Sequence, residues 1–419
     1  MRKQDKKIAI IGGGISGLSA SWFLKKKGYT NVTLFEKNNR VGGQAETFYY
    51  DESSYELGAF LGLSTQRETL SIMNELGIDD NKTMIEWLFY DTKGNQIFQL
   101  FDGQTQAFLN EYQHYKKIYI DYPEIEEFGF FNIPLTFEKP FYQWFGLNNY
   151  DNMGKVLSQY MALFGVSNLQ KIPVFYILQV LNYKTLRDLL KIEITPVLTW
   201  GGGLNVFTSK LSFQVPHLKL SSPVTEVKRN FDGIYIKTPY ETDRFDEVII
   251  TTNLKDSLEF LDADDEEFNL FNLIQTKSMA SYLFRVKATT IKSGIIRENL
   301  FPNRNGHVFA WWKQNPKTTN SFQIICVYAM DISSMSQKEK VDIVISDLAM
   351  IGFTEIDFFT YRHWDVLPHV VTEDILDNFY NRLYSLQGNH GTYYSGEILS
   401  GITIEKGIQF SKWLIEKYF

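Results

Sequence analysis

Apolar and polar positions in the first forty residues follow the rhythm of a strand, a turn, a helix and a second strand. Lys7–Ile11 is a short apolar run, Gly12–Gly17 is glycine-rich, Leu18–Gly28 spaces its apolar residues as one helix face does, and Val32–Glu36 is apolar again. This is one β-α-β half-unit of an α/β fold. From residue 83 to 196 the pattern changes to aromatic-rich segments with helical spacing, such as Asp151–Gly165 and Ile172–Lys191, broken by Pro123, Pro134 and Pro140. Three short alternating or apolar runs follow, within Leu218–Asn230, Gly233–Pro239 and Asp246–Asn253, and they predict strands that rejoin the first unit. Residues 254–368 mix strands and helices, among them Ser281–Ala288, Gly306–Gln314 and Ser321–Met330. The chain closes on a strand, a turn and a helix between Gly391 and Phe419. No internal repeat or low-complexity linker separates these parts. The expected organisation is therefore interleaved: an α/β domain of residues 1–82, 197–253 and 369–419, a helical insertion or cap over 83–196, and a mixed α/β sheet domain over 254–368.

Charge and composition narrow the partners. Lys and Arg number 42 against 49 Asp and Glu, a net charge of −7, and no basic run provides a field for phosphates of nucleic acid. A small molecule fits better. The single cysteine, Cys326, lies in an apolar run and excludes an intramolecular disulfide or a cysteine metal cluster, which reads as a reducing, cytoplasmic setting. No motif suggests any other metal. The basic and then apolar start imitates a secretory signal, yet it runs straight into a glycine loop and reads as a first strand. The most apolar later stretch, Ile172–Leu181, is about half the ~20 residues of a membrane span, so no transmembrane segment is expected. Peripheral membrane contact and oligomeric state are left open. The 33 Phe and 24 Tyr suit an apolar tunnel and equally suit a compositional bias shared with Lys, Asn and Ile.

Gly12, Gly14 and Gly17 form G-x-G-x-x-G directly after a strand and before a helix. Gly12 permits a tight turn, Gly14 a close approach of the backbone to a pyrophosphate, and Gly17 close helix-to-strand packing. Ile15 and Ser16 open the helix, whose free N–H groups and dipole favour a diphosphate. Glu36, nineteen residues beyond Gly17, ends the next strand where a carboxylate accepts ribose hydroxyls, and Lys37 follows it. Arg40, Gly42 and Gly43 come just after, supplying a guanidinium and two residues without side chains for a second loop at the diphosphate. NAD-binding folds do not need that loop, so the cofactor reads as FAD. Thr199–Phe207, the other glycine cluster, has the wrong order of elements for a second dinucleotide site. Near the C-terminus, a strand ends at Gly396–Glu397 and a helix starts near Thr403–Ile404. That helix start is placed to stabilise negative charge on a flavin pyrimidine.

With these residues in view, Ile8–Ala20, Glu36–Thr47, Tyr55–Gly62, Thr199–Phe207, Ser222–Val227, Asp246–Thr252 and Tyr393–Glu405 resemble the successive blocks of the FAD-dependent amine oxidase and phytoene desaturase superfamily. More specifically, the chain resembles the bacterial polyenoic fatty acid isomerases, a likeness that extends into Phe164–Leu181, Gly306–Trp312, Leu367–Ser400 and Ser411–Phe419. The resemblance implies a glutathione-reductase-like Rossmann domain holding FAD non-covalently, with the segment 254–368 on the substrate side. It implies that Glu36, Arg40, Gly43 and the backbone of Val224 hold the adenosine and diphosphate. It likewise places Gly58, Ala59 and Phe60 against the isoalloxazine, with Gly396, Glu397 and Ile404 at the ribityl and pyrimidine. The implied reaction is hydride abstraction from an apolar polyene, such as a polyunsaturated fatty acid, by flavin N5, with return of the hydride to another carbon. Two alternatives stand beside it. One is an amine oxidase or desaturase of the same fold with net substrate oxidation; the other is a flavin-bearing sensor or structural protein, against which the large insertion counts.

One departure stands out. Where the resemblance implies an arginine that anchors a substrate carboxylate, the chain carries Glu86 and Trp87. Phe60 and Trp87 are then candidates for the substrate wall, and Lys184 and Arg187 are candidate replacement cations against a reading as a solvated helix face. His369, expected in a loop after Pro368, is a candidate base or a structural histidine. Trp311 and Trp312 read as channel wall or core. Of Tyr393 and Tyr394, at most one can contribute to an aromatic cage, because strand neighbours face opposite ways.

Overall fold

The computed structural model describes residues 3–59, 62, 66–83, 87–97, 105–190, 197–200, 202–314 and 321–419. Five strands, Ile8–Ile11, Val32–Phe35, His217–Lys219, Glu247–Ile250 and Thr392–Tyr394, form a wholly parallel sheet. Numbered along the chain, they lie in the order 3-2-1-4-5. Every residue of Ile8–Ile11, Val32–Phe35 and Glu247–Ile250 is buried, the pattern of strands covered on both faces. The first helix, Ile15–Lys26, and the last, Ile404–Tyr418, pack together on this sheet, and the Ser411 hydroxyl donates to the Ser16 carbonyl at 3.0 Å. The order reverses at the first strand. Its C-terminal end is thus the topological switch point where α/β sheets of this kind take ligands.

A seven-stranded sheet stands beside it, in the order Asp357–His369, Gln275–Lys287, Phe322–Met330, Val308–Gln314, Ser293–Ile296, Trp87–Tyr90, Gln96–Ile97. One of its faces packs Phe284, Trp311, Ile325 and Val327 under the helix Gln337–Ile351 through Val344 and Leu348. That helix is fixed at its start by the Ser336–Glu339 capping box and at its end by Gly352 in the left-handed region. The opposite face of the sheet turns toward helices that include Asp151–Met161, Val174–Val180 and Tyr183–Leu190.

Two expectations change. The segment from residue 83 to 196, read as helical, opens with two strands that complete the edge of the large sheet, where Trp87–Tyr90 runs parallel to Ser293–Ile296. Strands of four and two residues carry too little alternation to be read against the helical pattern that follows. Only the first part of Leu218–Asn230 joins the parallel sheet. Ser221 turns back at φ 49° with its N–H on the Asn38 carbonyl at 2.8 Å, and Glu226–Asn230 builds a separate antiparallel sheet with Gly233–Lys237 and Thr242–Phe245. Among the described residues no helix is long and apolar enough to cross a membrane, and no group of three or more His, Cys, Asp or Glu side chains is placed to hold a metal.

Candidate functional site

The chain leaves the first strand at Gly12, which holds φ 110°. A Cβ on Gly17 would stand 2.0 Å from the Gly12 carbonyl oxygen, so the helix rests directly on the turn. Gly14 differs. It is the N-cap of the helix at φ −74°, no side chain caps there, and a Cβ on it would meet no protein atom within 4 Å. The helix start carrying Ile15 and Ser16 therefore faces an open cradle.

The second glycine loop closes over the first. The Gly42 N–H donates to the Gly13 carbonyl at 2.8 Å, and a Cβ on Gly43 would lie 3.3 Å from Gly14 Cα. Glu36 is buried beside both loops. Its Oε2 accepts the Gly13 N–H at 2.8 Å, while Oε1 accepts the Asn38 N–H and Nδ2 at 2.8 and 2.7 Å. Lys37 is exposed. Val224 is half-buried, and the Ser222 N–H on the Glu36 carbonyl at 2.9 Å lays this turn alongside the acid. Arg40, expected to reach toward a diphosphate, spends its guanidinium on Glu46 at 2.6 Å and on the Gly43 carbonyl at 3.0 Å. Glu46 also receives Arg362 at 2.7 Å, so the loop is clipped to the large sheet.

Gly58 and Ala59 continue the line of contacts. A Cβ on Gly58 would stand 1.8 Å from the Gln44 carbonyl oxygen, and Trp364 Cζ2 is 3.5 Å from the same point. The indole of Trp364 is held by donation to the Leu57 carbonyl at 3.1 Å and to Ser281 Oγ at 2.9 Å. Gly396, at φ 134°, leads into Glu397, whose carboxyl is pushed up to about 8 by burial, against a hydrogen bond with Gln44. At the start of the last helix the Thr403 hydroxyl accepts the Lys406 N–H at 3.2 Å. Glu405 takes the Glu68 and Thr69 N–H groups, both at 2.9 Å, which fixes the last helix to the start of Arg67–Glu75.

Between these pieces lies a cavity of about 570 Å³. Gly58, Ala59, Glu397 and Ile404 bound one side of it, Trp364, Tyr328 and Met279 from the large sheet a second, and Leu163, Gly165 and Val180 from the helical segment a third. Gln179 and Lys406 give it a polar corner. Lys406 donates to the Glu127 carbonyl at 2.8 Å, and burial pushes its ammonium down to about 7 although Glu126 opposes the shift.

The comparisons with known proteins agree with this geometry. Residues 10–76 match the model of an NAD(P)-binding Rossmann-like domain. The polyenoic fatty acid isomerase of Ptilota filicina is 35% identical over 74 residues, which is 18% of this chain and 15% of that protein. The flavin-containing amine oxidase B of Bos taurus is 36% identical over 89 residues, 21% of this chain and 17% of that protein. These matches span about a sixth of the length of either relative. Over the whole of both chains the fold coincides with the solved structure of a CLA-producing fatty acid isomerase from P. acnes, at a TM-score of 0.93 and 24% identity.

The chain shares the fold of that solved structure, and over 21% of its length it is similar to a flavin-containing amine oxidase.

Within this fold, several sequence candidates stand away from the cavity. Tyr393 packs on Tyr418 and Phe419, and Tyr394 donates to Glu267, so neither joins an aromatic cage. His369 is not in a loop. It ends the strand Asp357–His369, buried, with Nδ1 2.8 Å from the Leu367 carbonyl, and burial pushes it down to about 4. Trp87 is buried against Trp312 at 5.7 Å between ring centres, and Trp311 lies in the core on the other side of the sheet. Lys184 lines the cavity but pairs with Glu126 at 2.9 Å. Phe60 and Glu86 lie outside the described residues. Thr199–Phe207 does run from strand to helix, contrary to its reading. The N-terminus of that helix, Leu204–Ser212, is taken by Glu56, which accepts the Leu204 N–H at 2.7 Å. Burial pushes Glu56 up to about 7. The residues that sequence reading missed are Trp364, Tyr328, Met279 and Lys406. The first three sit in long strands, and only register shows which face looks into the cavity.

Proposed function

We propose that the chain is a flavoenzyme that holds one FAD non-covalently and isomerises the double bonds of a polyunsaturated fatty acid or a similar apolar polyene. The observation that carries the reading is the cavity itself: it opens from the Gly58–Ala59, Glu397 and Ile404 wall, in line with the glycine loops, and runs into apolar side chains of the helical segment. The residues fit the cofactor. Gly14 leaves the cradle clear where a diphosphate would lie, and Glu36 offers a buried carboxylate at the ribose end. Glu397 and the start of the last helix at Ile404 line the cavity, where they would border the ring system. The sole cysteine, Cys326, is buried in mid-strand with its thiol pushed up to about 12 by burial, which speaks against a thioether link to flavin.

Bound oxidised flavin would supply a hydride acceptor able to give the same hydride back. The chain supplies the rest. Trp364, fixed by its two hydrogen bonds, would wall the ring site beside Gly58. Glu397, carrying its proton at neutral pH, brings no negative charge to the cavity. Leu163, Val180, Met279 and Leu367 exclude water and hold an extended chain. Such a reaction asks for no acid or base at the apolar end.

Anaerobic mixing of the yellow protein with linoleate tests the proposal. Conjugated diene is expected to accumulate over many turnovers while the flavin spectrum stays oxidised. Bleaching in proportion to substrate, or peroxide formation in air, would replace the isomerase reading with net oxidation.

A further inference from the structure

Next to Val366, which lines the cavity, stands Lys277, which is outside that lining and which no described carboxylate neutralises. In the strand Gln275–Lys287, Thr276 and Ser278 turn their hydroxyls to Asp365 at 3.3 and 3.2 Å. Lys277 therefore shares the opposite face with Met279 and Ser281, the face that receives Trp364 and looks into the cavity. Val366, its partner across the ladder, and Met279, two residues along, both bound the cavity. Lys277 is half-buried, and among the described residues it has neither a carboxylate nor a hydrogen-bond partner. Burial, and next the nearby Lys171 ammonium, hold it below the usual lysine range. His369, close by, is neutral above about pH 4 and adds no negative charge.

The other cations at the cavity are placed differently. Lys184 has Glu126, Lys406 donates to the Glu127 carbonyl, and Arg67 stands exposed to solvent. A half-buried ammonium without a counter-ion is costly, and an anion brought by the ligand removes that cost. We propose that Lys277, backed by Lys171, receives the carboxylate of a long-chain substrate at the Met279 and Val366 edge of the cavity. The apolar chain then runs past Met279 and Leu367 toward Gly58. This docking point rests on the reading of the cavity as a polyene site.

The test measures binding rather than turnover. Oleate, which lacks the diene, and methyl oleate, which lacks the charge, are titrated into the FAD-loaded protein by calorimetry below their aggregation concentrations. The parent protein is expected to prefer oleate by about ten- to a hundredfold. Lys277→Gln and the apolar Lys277→Met should lose that preference while keeping the affinity for methyl oleate and the flavin content, and Lys277→Arg should retain it. Lys171→Gln should weaken the preference only in part. A parent that does not distinguish acid from ester overturns the proposal. So does a Lys277→Gln protein that keeps the preference, or its transfer to Lys406→Gln or Arg67→Gln. Diene formation by the parent protein is scored separately. If oleate is held through Lys277 and linoleate is not isomerised, the reaction is wrong and the docking point stands.

Discussion

Gly14 and Gly17 lie three residues apart, and the structure assigns a single added methyl group opposite consequences at the two positions. At Gly17 an alanine Cβ would stand 2.0 Å from the Gly12 carbonyl oxygen and 2.8 Å from Thr251 Oγ1. Neither backbone nor strand can yield without lifting the helix, so Gly17→Ala should lose about 1–3 kcal/mol of stability or more. At Gly14 the backbone, at φ −74° and ψ −177°, accepts alanine, and the Cβ meets nothing. Gly14→Ala should therefore fold within about 1 kcal/mol of the parent, with reduced chain entropy offsetting a poorer N-cap. Its defect appears only with the dinucleotide. With FAD at a hundred times its dissociation constant the parent gains about 2.7 kcal/mol, and a hundredfold loss of affinity would leave about 0.4 kcal/mol. Thermal unfolding of the apoproteins with and without FAD, together with the flavin-to-protein absorbance ratio after purification, reads both effects. A Gly14→Ala protein that keeps its full flavin complement and its full FAD-dependent stabilisation would show that no diphosphate lies in the cradle.

The ion pair of Arg229 and Glu267 has side chains 4% and 0% exposed, with nitrogen to oxygen distances of 2.6 and 2.7 Å. Glu267→Ala leaves the guanidinium buried beside Asp262 alone and should lower stability by about 3–5 kcal/mol in urea unfolding, whereas a change below about 1 kcal/mol would mean that the pair is dispensable. Glu397 and Glu56, with carboxyls pushed up to about 8 and about 7, give the apoprotein a pH dependence. Their folded-state values exceed those of the unfolded chain, so their contribution is complete below the ordinary carboxyl range and is lost as pH rises through the folded values. Melting temperatures should fall between about pH 5 and 8. Glu397→Gln should flatten that slope, and an unchanged slope in Glu397→Gln and Glu56→Gln together would remove these groups as its source.

The order of short-range elements was written in the sequence wherever a single stretch of chain carries its own constraint. The turn at Gly12, the close packing at Gly17, the acid at Glu36, the paired Gly42 and Gly43, and the helix starting at Ile404 are local necessities of backbone conformation and helix ends, and each was legible from residue type and spacing. What the sequence could not show is which face of a long strand points where. Met279, Tyr328 and Trp364 are three of many apolar residues in three strands far apart in the chain, and strand register alone turns them toward the same cavity. The same limit hid the capping of Leu204–Ser212 by Glu56, which comes from 148 positions away. It also hid the pairing that occupies Lys184 and the isolation that sets Lys277 apart. Backbone geometry is decided by neighbours along the chain, whereas burial, partnership and charge balance are decided by neighbours in space, and those exist only once the two sheets and the helical segment have closed on one another.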